Sequence, residues 1–135
     1  MDWAALITWV VTAGGGFVLL AVWLKNGGMR QREKGRIRPA FILGHFALAA
    51  GGLVLWIVYL AVNSNTLAWI AFALLVVVAL IGFTMFGIWL SQRQRREPAA
   101  DAAEQRFPVP IVGLHGLLAA TTLVLVFLTA IGVGS

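Results

Sequence analysis

The chain has 135 residues, of which 61% are hydrophobic and 11% are charged, and its formal net charge is +5. A soluble domain needs a larger share of charged surface residues, so this composition disfavours one. The sequence contains no cysteine. Disulfides, iron–sulfur clusters, thiolate metal ligands and covalent c-type haem attachment are therefore excluded.

Four apolar blocks follow one another along the chain, at residues 3–24, 39–62, 67–90 and 110–133, and none contains Asp, Glu, Lys or Arg. A helix needs roughly 20 apolar residues to cross a hydrocarbon layer about 30 Å thick. Backbone amides in lipid must pair within their own segment, so each block is predicted to be a transmembrane helix. The predicted fold class is an all-α integral membrane protein, a bundle of four transmembrane helices forming one domain over 1–135.

All ten Lys and Arg residues lie in two loops, 25–38 and 91–109, while the middle connection 63–66 carries no charge. The positive-inside rule therefore predicts that both basic loops are cytoplasmic and that both termini lie on the non-cytoplasmic side of the cell membrane. Charge at a membrane surface favours anionic lipid over nucleic acid as its partner. We expect Trp3, Tyr59 and Trp69 to lie at the outer membrane interface. Trp23 and Trp89 are expected at the inner one.

Two internal similarities indicate a duplicated helix–loop–helix unit. Residues 45–55 (HFALAAGGLVL) and 115–125 (HGLLAATTLVL) are identical at seven of eleven positions. Residues 16–24 (GFVLLAVWL) and 82–90 (GFTMFGIWL) are identical at four of nine. We therefore predict two parallel repeats, 3–62 and 67–133, related by a pseudo-two-fold axis along the membrane normal.

The chain has two histidines, His45 and His115, which follow Pro39 and Pro110 by six and five residues. Both are predicted to lie about 8–9 Å inside their helices, at matching depth in the inner leaflet. In a sequentially connected bundle the second and fourth helices stand on opposite corners, so the two imidazoles are expected to face each other. Buried intramembrane histidines are functional candidates. Two at one level suit the ligation of one haem iron from both faces.

Small and basic residues near the histidines extend this candidate site. Gly16, Gly82 and Gly52 would let a porphyrin approach the backbone, and Arg38 and Arg106 would pair with its propionates at the cytoplasmic mouth. Each feature also has a simpler explanation. Glycines let membrane helices pack closely, and arginines anchor the topology.

Paired histidines on two helices of a four-helix membrane bundle resemble the b-type membrane cytochromes of the cytochrome b561 kind. The resemblance covers the layout of the four spans and the positions His45 and His115. Those cytochromes usually hold two haems with four histidines, one haem per leaflet, whereas this sequence has two histidines near one side. The resemblance implies one bis-histidine haem b, and a membrane redox partner or a quinone to complete electron transfer.

Other interpretations stay open at the level of sequence. The chain is alternatively a non-haem accessory subunit, a small transporter or a pH-responsive membrane scaffold, with the histidines as a polar lock or pH sensor. A copper or zinc site on the two histidines, with Met85 as a soft partner, has too few ligands for zinc. The sequence leaves homo-oligomer formation open as well.

Enzyme motifs are missing from the sequence: it has no phosphate-binding loop, no nucleophile elbow and no paired acids within a span. The acids Glu97, Asp101 and Glu104 share the loop 91–109 with four arginines. This mixture indicates a solvated linker without a catalytic role. An electron-transfer protein or subunit is therefore expected rather than a stand-alone enzyme.

Overall fold

The computed structural model describes residues 1–32, 36–95 and 101–134. Four α-helices make up most of this part of the chain: α1 (Asp2–Lys25), α2 (Pro39–Val62), α3 (Asn65–Arg95) and α4 (Val109–Ala130). Short 3-10 turns, Gly28–Arg30 and Ala103–Arg106, lie in the two basic loops. All four helices are long and apolar enough to cross a membrane. The prediction of an all-α protein with four such helices is confirmed.

The helix ends differ slightly from the predicted blocks for local reasons. Helix α2 begins at Pro39, whose fixed φ suits a first helical position, and it stops before Asn63, which has a left-handed φ of 52°. Helix α3 continues past residue 90 to Arg95, through polar residues that carry no helix breaker. Helix α4 ends at Ala130 instead of 133, because Gly132 takes a φ of 86° that terminates the helix.

Each helix packs against two neighbours, which gives a square bundle. Helix α1 lies against α4 and α2, and α3 lies against α2 and α4, with the closest pairs being α1–α4 and α2–α3. Helices α2 and α4 therefore occupy opposite corners. The described parts of the two basic loops, residues 26–32, 36–38 and 101–108, lie at one end of the bundle, which we call the basic end. Met1 and Gly134 lie close together at the opposite end, where a Cβ on Gly134 would stand 2.9 Å from Met1 Cγ. At the same end the Trp56 indole donates to the Asp2 carbonyl at 3.2 Å.

The outer surface of the bundle is apolar. Leu80, Phe83 and Leu117 are each more than 60% exposed, and large apolar patches of this kind are rare on soluble proteins. Contact with a lipid bilayer explains them. Trp3 and Trp69 are exposed as interfacial residues would be.

Three aromatic residues expected at the membrane interfaces are instead buried inside the bundle. Tyr59 packs against Trp56 with ring centres 4.6 Å apart, and Trp23 and Trp89 are buried near the basic end. Their side chains point to the bundle axis because each lies on the helix face that packs against neighbouring helices. The prediction that they contact the headgroup region is wrong.

The buried apolar residues form two clusters along the bundle axis. The outer cluster lies towards the chain termini and comprises Ala5, Trp9, Trp56, Tyr59, Ala68, Ala71, Leu75, Val78, Val126 and Ala130. The basic-end cluster comprises Trp23, Ile37, Ile42, Trp89 and Ala103. The level of the two histidines lies between these clusters.

A buried carboxylate joins the two basic loops. The fully buried Glu104 accepts hydrogen bonds through Oε1 from the Ile37 N–H at 2.8 Å and from Gln92 Nε2 at 2.7 Å. Its Oε2 accepts from Gln31 Nε2 at 2.8 Å, and Gln31 Oε1 accepts the Ala103 N–H at 2.8 Å. Hydrogen-bond donors are what make a buried carboxylate tolerable.

The expectation of a solvated linker is therefore wrong for Glu104. It holds for Asp101, whose side chain is 75% exposed in an ion pair of 2.7 Å with Arg36. Glu97 lies outside the described residues. Sequence reasoning grouped Asp101 and Glu104, which the fold separates, because their burial depends on contacts between loops distant in the chain.

Replacing the buried carboxylate should destabilise the protein strongly. In Glu104→Ala, two donors of the first basic loop and the Gln92 donor on α3 lose their acceptor, and we expect a loss of about 3 kcal/mol or more. The measurement is thermal or SDS-induced unfolding of the detergent-solubilised protein. The matched control is Asp101→Ala, which removes an exposed ion pair and should cost at most about 1 kcal/mol. Equal effects of the two substitutions would contradict a structural role for the buried network.

Candidate functional site

The structure brings His45 and His115 together across the centre of the bundle. Their ring centres are 6.2 Å apart, with an angle of 62° between the ring planes. One ring comes from α2 and the other from α4, so the contact spans a diagonal of the square. Both residues are half-buried, between the outer cluster and the basic-end cluster.

Each imidazole is held by a backbone carbonyl of an adjacent helix. His45 Nδ1 lies 3.0 Å from the Val78 carbonyl oxygen on α3, and His115 Nδ1 lies 2.9 Å from the Thr12 carbonyl oxygen on α1. A carbonyl oxygen only accepts, so these hydrogen bonds require the proton on Nδ1 of each ring. The Nε2 atoms then keep their lone pairs. Metal-binding histidines commonly have this arrangement, in which one ring nitrogen donates to a carbonyl and the other is free to ligate.

Two glycines make room for the rings. A Cβ on Gly82 would lie 3.1 Å from His45 Cε1, and a Cβ on Gly16 would lie 3.1 Å from His115 Cε1. Each glycine follows its accepting carbonyl by four residues. Helical side chains lean towards the preceding turn, so a larger residue at either position would cover that carbonyl. These glycines therefore contact the histidine rings themselves, at the level where the sequence analysis placed them.

The remaining residues of the predicted site lie elsewhere. Gly52 packs against the indole of Trp9, where a Cβ would come within 3.0 Å of Cζ2. Arg38 is exposed at the start of α2, where it lines a surface cavity, and Arg106 is exposed at the end of the 3-10 turn in the second basic loop. The fold thus places Gly16 and Gly82 against the histidines, and Gly52, Arg38 and Arg106 in other surroundings.

Sequence reasoning missed the two carbonyls that orient the histidines. Their acceptors are backbone atoms, which any residue type supplies, so comparing side chains could not reveal them. The spacing of the first and third spans contained a signal: 66 residues separate Thr12 from Val78, as they separate Gly16 from Gly82. A position one turn before each aligned glycine was therefore a candidate for contact with the histidines.

The donor set suits a metal that brings its own equatorial ligands. No group of three or more His, Cys, Asp or Glu side chains able to hold a metal occurs in residues 1–32, 36–95 and 101–134, and two imidazoles are too few for zinc. A haem needs two axial ligands only. The two ring centres are 6.2 Å apart, and each Nδ1 is held by a backbone carbonyl. His45 and His115 are therefore the side chains that would be available to such a group.

Comparison with models of protein families, with curated proteins and with solved structures finds no match to the chain. The candidate site therefore rests on the residues and their geometry. Two imidazoles, each oriented by a backbone carbonyl, lie at the centre of the bundle between two apolar clusters.

Enlarging the glycines against the rings should disturb the histidines. In Gly82→Ala the new methyl group meets a ring that its hydrogen bond to Val78 already fixes, and we expect a loss of about 1–2 kcal/mol. The measurement is the unfolding transition in detergent together with the NMR signals of the His45 ring.

Two further glycines provide matched controls for this experiment. Gly87 on α3 and Gly14 on α1 have open space where a Cβ would stand, so Gly87→Ala and Gly14→Ala should be neutral or slightly stabilising. Gly16→Ala should resemble Gly82→Ala and disturb His115. If all four variants behaved alike, the close contact between glycines and imidazoles would be refuted.

Proposed function

We propose that this chain is a membrane b-type cytochrome that binds one haem b through His45 and His115 and transfers electrons with a membrane partner or a quinone. The observation that supports this best is the pair of imidazoles 6.2 Å apart, each with its Nδ1 on a backbone carbonyl. When bound, the haem would supply a one-electron iron couple.

The residues of the chain have defined tasks in this function. The carbonyls of Val78 and Thr12 hold the two imidazoles in the tautomer that ligates through Nε2, and they raise the basicity of each ligand. Because His45 and His115 would both hold the haem, the chemistry that it would supply is electron transfer rather than oxygen chemistry. The apolar clusters on either side of the histidines limit the access of water.

We further propose that the bundle consists of two parallel repeats, 3–62 and 67–133. The contacts around the histidines support this. Thr12 and Gly16 approach His115 in the same way as Val78 and Gly82 approach His45. A two-fold rotation that placed α1 on α3 and α2 on α4 would also place the close pair α1–α4 on the other close pair, α3–α2.

The distribution of basic residues supports an orientation with the basic end in the cytoplasm and both termini outside. In this orientation the histidines lie in the inner leaflet. Arg38 and Arg106 are exposed at the basic end, where phosphates of anionic lipids are available to pair with them.

One observation favours the alternative of a non-haem accessory subunit or a pH-responsive scaffold. His45 bonds α2 to α3, and His115 bonds α4 to α1, so each histidine links the two helices of a closest pair. Hydrogen bonds between membrane helices stabilise bundles without any cofactor. In that function the imidazoles would be polar links between helices.

The proposed haem site is tested by absorption spectroscopy of the protein purified in detergent after expression with ample haem. We expect a Soret band, one haem per chain and the sharp reduced bands of a low-spin bis-histidine haem on addition of dithionite. His45→Ala and His115→Ala should each abolish the low-spin spectrum, and the double variant should bind no haem.

The control for this test is Phe46→Leu. Phe46 neighbours His45 but packs on Phe17 with ring centres 5.1 Å apart, so this substitution should leave the spectrum unchanged. A wild-type protein without a Soret band, or a band that survives loss of both histidines, would refute the cytochrome. If such a haem-free protein also lost thermal stability on substitution of either histidine, the non-haem scaffold would be favoured.

The orientation is tested by cysteine labelling, since the chain has no cysteine of its own. Thr66→Cys places a thiol on an exposed position in the first turn of α3, and Met29→Cys places one on a 45% exposed position in a basic loop. A membrane-impermeant maleimide should label the Thr66→Cys variant in intact cells. It should label the Met29→Cys variant only after the membrane has been permeabilised. The reverse pattern would place the basic end outside.

A further inference from the structure

We propose that Trp23 and Trp89 donate their indole N–H groups to the two propionates of the haem held between His45 and His115. This inference rests on the proposed function and deepens it. It identifies the residues that recognise the anionic edge of the cofactor and the direction in which that edge points.

Both indoles have a buried donor without a partner. Trp23 is 0% exposed and Trp89 is 5% exposed, and neither Nε1 has a hydrogen-bond acceptor among the described residues. Native proteins seldom leave a buried N–H unpaired, because such a group loses its bond to water without replacing it. Trp56, also buried, shows the usual situation, since its Nε1 donates to the Asp2 carbonyl. Two unpaired donors in one cluster indicate a missing acceptor.

The helix geometry places both tryptophans between the histidine level and the basic end. Trp23 follows Gly16 by seven residues, and Trp89 follows Gly82 by seven. Seven residues are almost two full turns, so each tryptophan lies on the same helix face as its glycine and about 10 Å closer to the basic end. Both indoles belong to the basic-end cluster on the side of the histidines away from the chain termini, and the Trp23 indole also packs against Gly28 of the first basic loop.

Because α1 and α3 stand on opposite corners of the bundle, each propionate would have one indole donor. The imidazoles come from α2 and α4, so a flat ring bound between them would present its edges to α1 and α3. Those are the helices that carry Trp23 and Trp89. The two propionates of a haem leave from neighbouring positions on one side of the ring, so one would approach each tryptophan.

The charge of the propionates suits these donors. Hydrogen bonds to a carboxylate are stronger than neutral ones, and the low dielectric of a buried cluster strengthens them further. In the described part of the chain, the unpaired buried side-chain donors are these two indoles, both at the basic end. The outer cluster, in contrast, is built almost entirely from apolar side chains. The propionates of a bound haem would therefore be directed to the basic end.

The inference is tested by comparing haem with its dimethyl ester, which keeps the iron and macrocycle but lacks both carboxylates. The wild-type apoprotein should bind haem about tenfold more tightly than the ester. In the double variant Trp23→Phe, Trp89→Phe this preference should fall to within about twofold, while the low-spin bis-histidine spectrum is retained. Trp3→Phe, at an exposed position at the opposite end of the bundle, is the control and should keep the full preference.

A second measurement does not depend on a substitution. In the dithionite-reduced, diamagnetic complex, the indole N–H resonances of Trp23 and Trp89 should move downfield with haem and stay in place with the ester. Equal affinities for haem and ester in the wild type, or indole resonances that are the same in both complexes, would overturn this inference and leave the cytochrome intact. Absence of binding by both porphyrins would overturn the proposed function itself.

Discussion

The interaction on which the site depends is the hydrogen bond from each histidine to a carbonyl of a neighbouring helix. In an α-helix the carbonyl of residue i already accepts the N–H of residue i+4. An imidazole that reaches across to such a carbonyl must use the second lone pair of the oxygen. That lone pair is accessible from the side only where no side chain covers it. The bonds at Val78 and Thr12 therefore require the glycines at 82 and 16.

This requirement determines how the helices pair. Each carbonyl and its glycine lie on α1 or α3, and each histidine lies on α4 or α2, so the closest contacts fall between α1 and α4 and between α2 and α3. The two histidine helices then stand on a diagonal, and their rings meet in the middle. Hydrogen bonds that hold adjacent helices together thus also bring the imidazoles to 6.2 Å.

The two halves of the bundle are alike around the histidines and differ at the ends. Near the termini, the large Trp9 packs on the small Gly52, whereas the positions at equivalent spacing hold the medium-sized Leu75 and Thr122. Thr122 instead bonds the Thr8 hydroxyl at 3.0 Å, which links α4 to α1.

At the basic end the bundle is closed by polar contacts between loops. Glu104, in the second basic loop, accepts hydrogen bonds from Gln31 and Ile37 of the first loop and from Gln92 on α3. It lies next to the cluster that contains Trp23 and Trp89. The exposed arginines remain available to anionic lipid or water. The basic end therefore has charged residues on its surface and a buried polar network beneath them. This network separates the apolar interior from the charged surface.

The sequence by itself determined the four spans, the asymmetry of the basic loops and the candidate histidines. Each of these follows from local properties: run length against bilayer thickness, the positions of charges, and residue type. The placement of Gly16 and Gly82 at the histidine level also followed from helical rise alone.

The tertiary structure decided what those residues touch. It turned Trp23, Trp89 and Tyr59 inward, buried Glu104 while leaving Asp101 exposed, and moved Gly52 into contact with Trp9. It also selected the carbonyls that orient the imidazoles. These features depend on rotation of each helix about its axis and on contacts between loops far apart in the chain. Helices that are apolar on all sides carry no periodic pattern from which such a rotation can be read.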